Sequence, residues 1–129
     1  MPCIPSRMVF PMSLDFYDRS GIPIAYTDDG AHLFTFSGRP VGYFHDDSLY
    51  SYEGQHLGRI SNGLIRDNCG QVVFFSSEAT GGPMRPVRRL KPLKGLKRLK
   101  PLKRLRRLAP LRPMLSNNWS QLSGQQFFL

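Results

Sequence analysis

Residues 14–26 (LDFYDRSGIPIAY), 31–43 (AHLFTFSGRPVGY), 47–59 (DSLYSYEGQHLGR) and 63–75 (GLIRDNCGQVVFF) align without gaps on Gly21, Gly38, Gly54 and Gly70. These glycines are 17, 16 and 16 residues apart. Five residues before each glycine is apolar: Phe16, Leu33, Leu49 and Ile65. Four before are Tyr17, Phe34, Tyr50 and Arg66. Three after is again apolar: Ile24, Val41, Leu57 and Val73. Four after are Ala25, Gly42, Gly58 and Phe74, and five after are Tyr26, Tyr43, Arg59 and Phe75. A fixed period of this length marks repeated supersecondary units, each too small to bury a face alone.

Each unit reads as a strand, a glycine turn and a second strand. The runs are short and rich in aromatic and β-branched residues. Asp18-Arg19-Ser20-Gly21 has turn chemistry, and the joins carry Asp28-Asp29-Gly30, Asp46-Asp47-Ser48 and Ser61-Asn62-Gly63. Pro23 and Pro40 follow the turn in two units and belong at a strand start or edge. The expected fold is all-β, with four hairpins around a pseudo-fourfold axis and Ile24, Val41, Leu57 and Val73 buried at equal depth. The alternative is an ordinary eight-stranded barrel or meander.

Downstream, leucine recurs at every third position: Leu90, Leu93, Leu96, Leu99, Leu102, Leu105, Leu108 and Leu111. Pro92, Pro101 and Pro110 recur every nine. A helix would smear a three-residue period around its axis and break at the prolines. Polyproline II has three residues per turn and accepts proline. The tract over 88–112 thus reads as an extended amphipathic rod with all leucines on one face. Extended, it spans about 75 Å at roughly 3.1 Å per residue, so it must wrap the body, turn back or reach another subunit. The expectation is that the leucines pack on the body, at about 1.5–3 kcal/mol each when buried. They would support a domain of roughly 65 residues that is marginal alone. The cations would then face water or an acidic partner.

The net charge of +9 hides an asymmetry. Residues 1–84 hold five basic and all nine acidic side chains, whereas residues 85–112 hold thirteen basic and no acidic ones. Such a split suggests an acidic partner: nucleic acid, an anionic membrane surface or the chain's own body. The candidate anion-binding residues are Arg88, Arg89, Lys91, Lys94, Lys97, Arg98, Lys100, Lys103, Arg104, Arg106 and Arg107. The tract has no aromatic residue for base stacking, so nucleic-acid binding would be sequence-blind.

The repeats, Gly81-Gly82-Pro83, the basic leucine tract and the terminal Trp119-Ser120 and Phe127-Phe128 together resemble the bacterial four-fold beta flower family, over about residues 14–128. The resemblance implies a fold and no assigned activity. Residues 1–13 lie outside the pattern.

The organisation expected is an extension over 1–13 without fixed structure and a four-hairpin domain over 14–79. A linker over 80–87, the rod over 88–113 and a tail over 114–129 that docks on the body follow. Because the pattern begins at Leu14, Met8 or Met12 is a candidate start, which N-terminal sequencing of native protein decides. Cys3 and Cys69 form no metal motif and read as free thiols of a reducing compartment. No signal peptide or stretch of roughly 18 apolar residues is present, which places the chain in the cytoplasm. His32, His45 and His56 occupy different repeat positions and read as surface or turn residues. The paired aspartates read as turn residues too, since calcium requires more oxygen ligands. No catalytic motif, cofactor, metal site or small-molecule substrate is inferred. Two functions remain. One is a non-enzymatic assembly module that packs or oligomerises through the rod. The other is a binder of anionic polymer or membrane surface.

Overall fold

The computed structural model describes residues 13–122 and 124–129. The extension expected over 1–13, Cys3 and the candidate starts Met8 and Met12 lie outside the described residues, Ser13 excepted. Eight strands form: β1 (Leu14–Tyr17), β2 (Pro23–Thr27), β3 (His32–Thr35), β4 (Pro40–His45), β5 (Ser48–Tyr50), β6 (His56–Ser61), β7 (Leu64–Asp67) and β8 (Val72–Phe75). They pair antiparallel in sequence order and close into a barrel through Tyr17 and Phe75. The fold is all-β, four hairpins in a ring.

The turns repeat almost atom for atom. Gly21, Gly38, Gly54 and Gly70 donate their N–H to the carbonyls of Asp18, Thr35, Ser51 and Asp67 at 2.9, 2.9, 3.0 and 3.1 Å. All four glycines have φ between +80° and +97°, a conformation that a side chain resists. Asp46-Asp47 and Asn62-Gly63 are two-residue hairpin joins, with φ of 54° at Asp46 and Asn62. A register shift recurs at the same place in each hairpin, beside Phe16, Leu33, Leu49 and Ile65. It bends the sheet enough to close a small barrel.

Those four residues form the deepest ring, each at 0% exposure. They face Ala25, Gly42, Gly58 and Phe74 across the ladder. Glycine is required at Gly42 and Gly58, where a methyl group would overlap the carbonyls of Tyr50 and Arg66. Val41, Leu57 and Val73 are buried in the same core, whereas Ile24 is only half-buried against it. The expectation of equal depth is corrected at that residue. The tail reaches this core. Asn118 to Ser120 bond to Val72, beyond the single β1–β8 pair. A 3-10 helix, Gly124–Phe128, brings Phe127 into the core edge-on to Phe74 and stacks Phe128 on the same ring.

His56 corrects the expectation of surface or turn roles for all three histidines. It is 6% exposed, held by Ser48 Oγ at 2.9 Å and Asn68 Oδ1 at 2.8 Å. Burial lowers its pKa below the ordinary value.

The outer wall is apolar too. Tyr26, Phe34 and Phe36 form one cluster and Tyr43, Tyr50 and Tyr52 another, all 1–6% exposed. A barrel wall facing water cannot be so buried, so a second layer covers it. That layer is the basic tract. Its backbone lies tight against the body at Gly95, where an added Cβ would lie 2.6 Å from the Ser37 carbonyl oxygen. Gly95→Ala should therefore lift the strap off the wall and cost about 1–3 kcal/mol, as overpacking does, read by urea denaturation. An unchanged midpoint would mean that the strap adds no stability.

Candidate interaction surface on the cationic strap

The tract passes all four glycine turns in order. Arg89, Arg98, Arg107 and Ser116 donate their N–H to the carbonyls of Gly21, Gly38, Gly54 and Gly70, at 2.8, 2.8, 2.8 and 3.1 Å. These donors are nine residues apart. Gly95 and Arg104 add bonds to the carbonyls of Phe36 and Tyr52, at 2.7 and 2.9 Å. Every third residue from Pro83 to Ser116 belongs to this set. Six donate, and the other six (Pro83, Pro86, Pro92, Pro101, Pro110 and Pro113) are prolines, which have no N–H to satisfy. The three-residue period thus runs beyond the expected 88–113, and the strap wraps the barrel.

Seven side chains one residue before members of this set point at the wall, whereas Lys100, in the same class, makes no contact there. Lys94 Nζ lies 4.2 Å from the Tyr26 ring centroid, Lys97 5.1 Å from Phe34 and Lys103 4.5 Å from Tyr43. Arg88 and Arg106 stand at 5.7 and 5.8 Å over Tyr17 and Tyr50. Each such contact stabilises by about 0.5–2 kcal/mol, depending on desolvation. The same face makes ion pairs: Lys91 with Asp15 at 2.7 Å, Lys97 with Asp28 at 2.6 Å and Arg112 with Asp47 at 2.6 Å. Lys94 and Arg104 add longer pairs to Asp28 and Glu53. The Lys97 hydrogen bond holds the Asp28 carboxyl below its ordinary pKa, and the Arg112 hydrogen bond does so for Asp47.

The leucines occupy the remaining face. Leu90, Leu93, Leu96, Leu99, Leu102, Leu105, Leu108 and Leu111 are 92–96% exposed. The expectation that they pack on the body, with the cations facing water, is corrected: the strap is inverted. Leucines cannot satisfy the wall's carboxylates, and the backbone donors fix which side faces inward. Met84, Val87 and Met114 continue the outer stripe, so eleven apolar side chains at three-residue spacing encircle the body. Among the described residues, the side chains of Arg89, Arg98, Lys100 and Arg107 make no ion pair, hydrogen bond or ring contact. Of the candidate anion-binding cations, these four stay free for an outside partner. Arg88, Lys91, Lys94, Lys97, Lys103, Arg104 and Arg106 are engaged with the body.

The sequence model of the 4-fold beta flower protein matches residues 14–128, nearly the whole chain and including the strap and tail. The chain belongs to this family. It is not a known enzyme family. No curated protein and no solved structure matches this beta flower chain. Among the described residues there is no cluster of three or more metal-ligating side chains, and no helix is long and apolar enough to cross a membrane. Cys69 is exposed and free in the fourth turn.

Two tests follow from the inverted strap. Leu99→Asp and Leu102→Asp should leave stability within about 0.5 kcal/mol, as exposed sites do. Lys94→Ala and Lys103→Ala should each cost about 0.5–1 kcal/mol through lost ring contacts. Denaturation midpoints of the four variants read the orientation, and the reverse ranking would turn the strap over again. Acid should destabilise in two stages. His56 has a lowered folded pKa, so its contribution is complete above 6.5 and fades as pH falls below that value. Asp28 and Asp47, also lowered, contribute fully above their ordinary 3.8 and lose this as pH falls further. Melting curves across pH should show the lower stage shrink in Asp28→Asn and the upper stage shrink in His56→Gln.

Proposed function

We propose that the protein is a non-enzymatic docking module that seats its leucine ribbon on an anionic lipid surface. The observation that carries this reading is the eleven-residue apolar ribbon, 89–96% exposed, flanked by four cations that the body does not use. Soluble proteins rarely expose contiguous apolar patches of more than a few hundred Å². At about 25 cal/mol per Å², burial energies of 1.5–3 kcal/mol correspond to roughly 60–120 Å² per side chain. The ribbon then offers on the order of 1,000 Å², comparable with the ~800 Å² that each partner gives to a stable interface.

Assembly with a second copy would bury these leucines as well. It would also set one cationic strap against another, in a chain of net charge +9. Nucleic acid would meet the charge and leave the leucines in water. An anionic bilayer surface answers both features. The arc from Leu96 to Leu105 alone presents four leucines with Arg98 and Lys100 between them. Four leucines at about 1.5–3 kcal/mol each on full burial, with about 1 kcal/mol per cation near an anionic leaflet, exceed the marginal anchoring of one myristoyl chain.

Sedimentation with vesicles tests the proposal. The protein should pellet with phosphatidylserine-containing vesicles, less with pure phosphatidylcholine, and less again in high salt. Combined serine substitution of Leu96, Leu99 and Leu102 should abolish pelleting without lowering Tm. Absence of vesicle binding overturns the proposal. If light scattering then shows multimers that persist in high salt, the ribbon is a self-assembly surface.

A further inference from the structure

Where neighbouring hairpins meet around the ring, three of the four equivalent outer-wall pairs are aromatic: Tyr17 with Phe75, Tyr26 with Phe34, and Tyr43 with Tyr50. The fourth is Arg59 opposite Arg66, on β6 and β7. Like charges directly opposite on adjacent strands repel, and Arg66 is only 7% exposed. The strap changes at the same point. Lys97 and Arg106 sit over Phe34 and Tyr50, whereas the residue nine further on is Leu115. The strap therefore brings no cation to Arg66 and leaves a cavity of about 540 Å³, lined by Arg59, Ile60, Arg66, Pro113 and Leu115, with Asp47 and Arg112 among its polar groups.

The donors in this cavity exceed the acceptors offered to them. Arg59 Nη2 donates to the Pro110 carbonyl at 2.6 Å, and Arg66 Nη2 reaches the Ser116 carbonyl at 3.4 Å. Arg59 Nε and Nη1 and Arg66 Nε are buried without a partner. The nearby carboxylates are bonded elsewhere, although Asp47 lies close enough to feel the Arg59 charge. Asp47 is bound by Arg112, and Asp67 accepts from Ser120 Oγ at 2.7 Å and from the N–H groups of Cys69 and Gln71. Asp46, the other lining carboxylate, is 76% exposed at the rim and lies 3.9 Å from His45. Burial also depresses the Arg66 pKa, the response of a cation without a counter-charge. Buried guanidinium N–H groups left unmade are costly. The group that completes them is a planar or tetrahedral oxyanion carrying several acceptors.

We propose that the Arg59–Arg66 cavity is a binding site for a phosphate monoester group, with the organic part of the ligand against Ile60, Pro113 and Leu115. The volume is that of a small-molecule pocket and exceeds the needs of a bare ion. The site is independent of the leucine ribbon, and the two proposals can fail separately. The same chemistry is offered by a soluble phosphate ester and by the headgroup of phosphatidic acid.

Calorimetric titration and thermal melts of the full chain with phenyl phosphate test the site, beside phenyl acetate as an uncharged control. Saturable binding and a Tm that rises with ligand are expected for the wild type. Arg66→Gln keeps a donor for the Ser116 carbonyl and removes the charge. It should fold at least as stably without ligand and lose the phosphate-dependent rise, with affinity down roughly tenfold or more. Arg59→Gln, at a half-buried position, serves as the second variant, and Arg39→Ala, exposed and outside both the cavity and the ribbon, should bind as the wild type does. Vesicles of phosphatidic acid, compared for the wild type and Arg66→Gln, distinguish a membrane source from a soluble one. Phosphate binding that survives both arginine variants, or no binding of either phosphate probe, overturns the proposal.

Discussion

The structure depends on one recurring bond: a strap N–H, nine residues from the next, given to the carbonyl of a turn glycine. The barrel repeats every 16 or 17 residues and the strap every nine, and the glycine turns are where the two periods meet. Extended backbone with three residues per turn presents one N–H in three to the same side. Once that side is fixed against the turns, the rest is determined. Prolines are allowed only in the same class of positions, where no acceptor waits. Lys91 and Arg112, each one residue before a proline, lean on the wall, and the residues after the prolines face away. The turn glycines are needed twice, for positive φ and because a Cβ there would strike the strap carbonyls of Val87, Leu96, Leu105 and Met114.

This constraint outweighs the hydrophobic preference of the leucines. Turning them inward would gain roughly 1.5–3 kcal/mol per side chain. It would also leave the Gly21, Gly38 and Gly54 carbonyls without donors, at about 1–3 kcal/mol each where buried. It would strand Asp15, Asp28 and Asp47 as well, carboxylates now bound to strap cations. The aromatic wall is indifferent in area and selective in electrostatics: ring faces accept the stems and heads of lysine and arginine as readily as leucine. The inverted strap therefore satisfies its inner side and leaves its apolar face exposed.

The hairpins, their glycines and the inner ring were legible because each rests on a local pattern: apolar positions at fixed offsets and turn residues between them. The three-residue period of the strap was legible for the same reason. Its orientation was not, because burial was assigned by hydropathy alone. The signal was present in the remainder of the residue number on division by three. Pro92, Pro101 and Pro110 share a class with Arg89, Gly95 and Arg98, so that class, not the leucines, marks the backbone side. The opposed charges of body and strap pointed the same way. His56 was missed because Ser48 meets it only once its own hairpin folds back at Gly54, and Asn68 reaches it from the turn of the next hairpin.

The join of the third and fourth units shows what the symmetry is for by breaking it. Tyr, Phe and Tyr at one repeat position give way to Arg66, and Tyr26 and Tyr43 at another give way to Arg59. Two independent lapses would leave two like charges under an unchanged strap. Here the strap departs in the same place, with Ala109 and Leu115 where cations stand in other turns. Wall and strap thus exchange roles: the charge moves from the strap to the barrel and the apolar group from the barrel to the strap. An exchange of this kind keeps the turn bond from Ser116 to Gly70 and the exit towards Trp119, so the tail still reaches Val72 and Phe127 still fills the core. What it gives up is the aromatic filling between the layers. A fold needing only closure would keep that filling, as the other three joins do; an opening with buried, unmatched guanidinium donors is the signature of a place kept for something else.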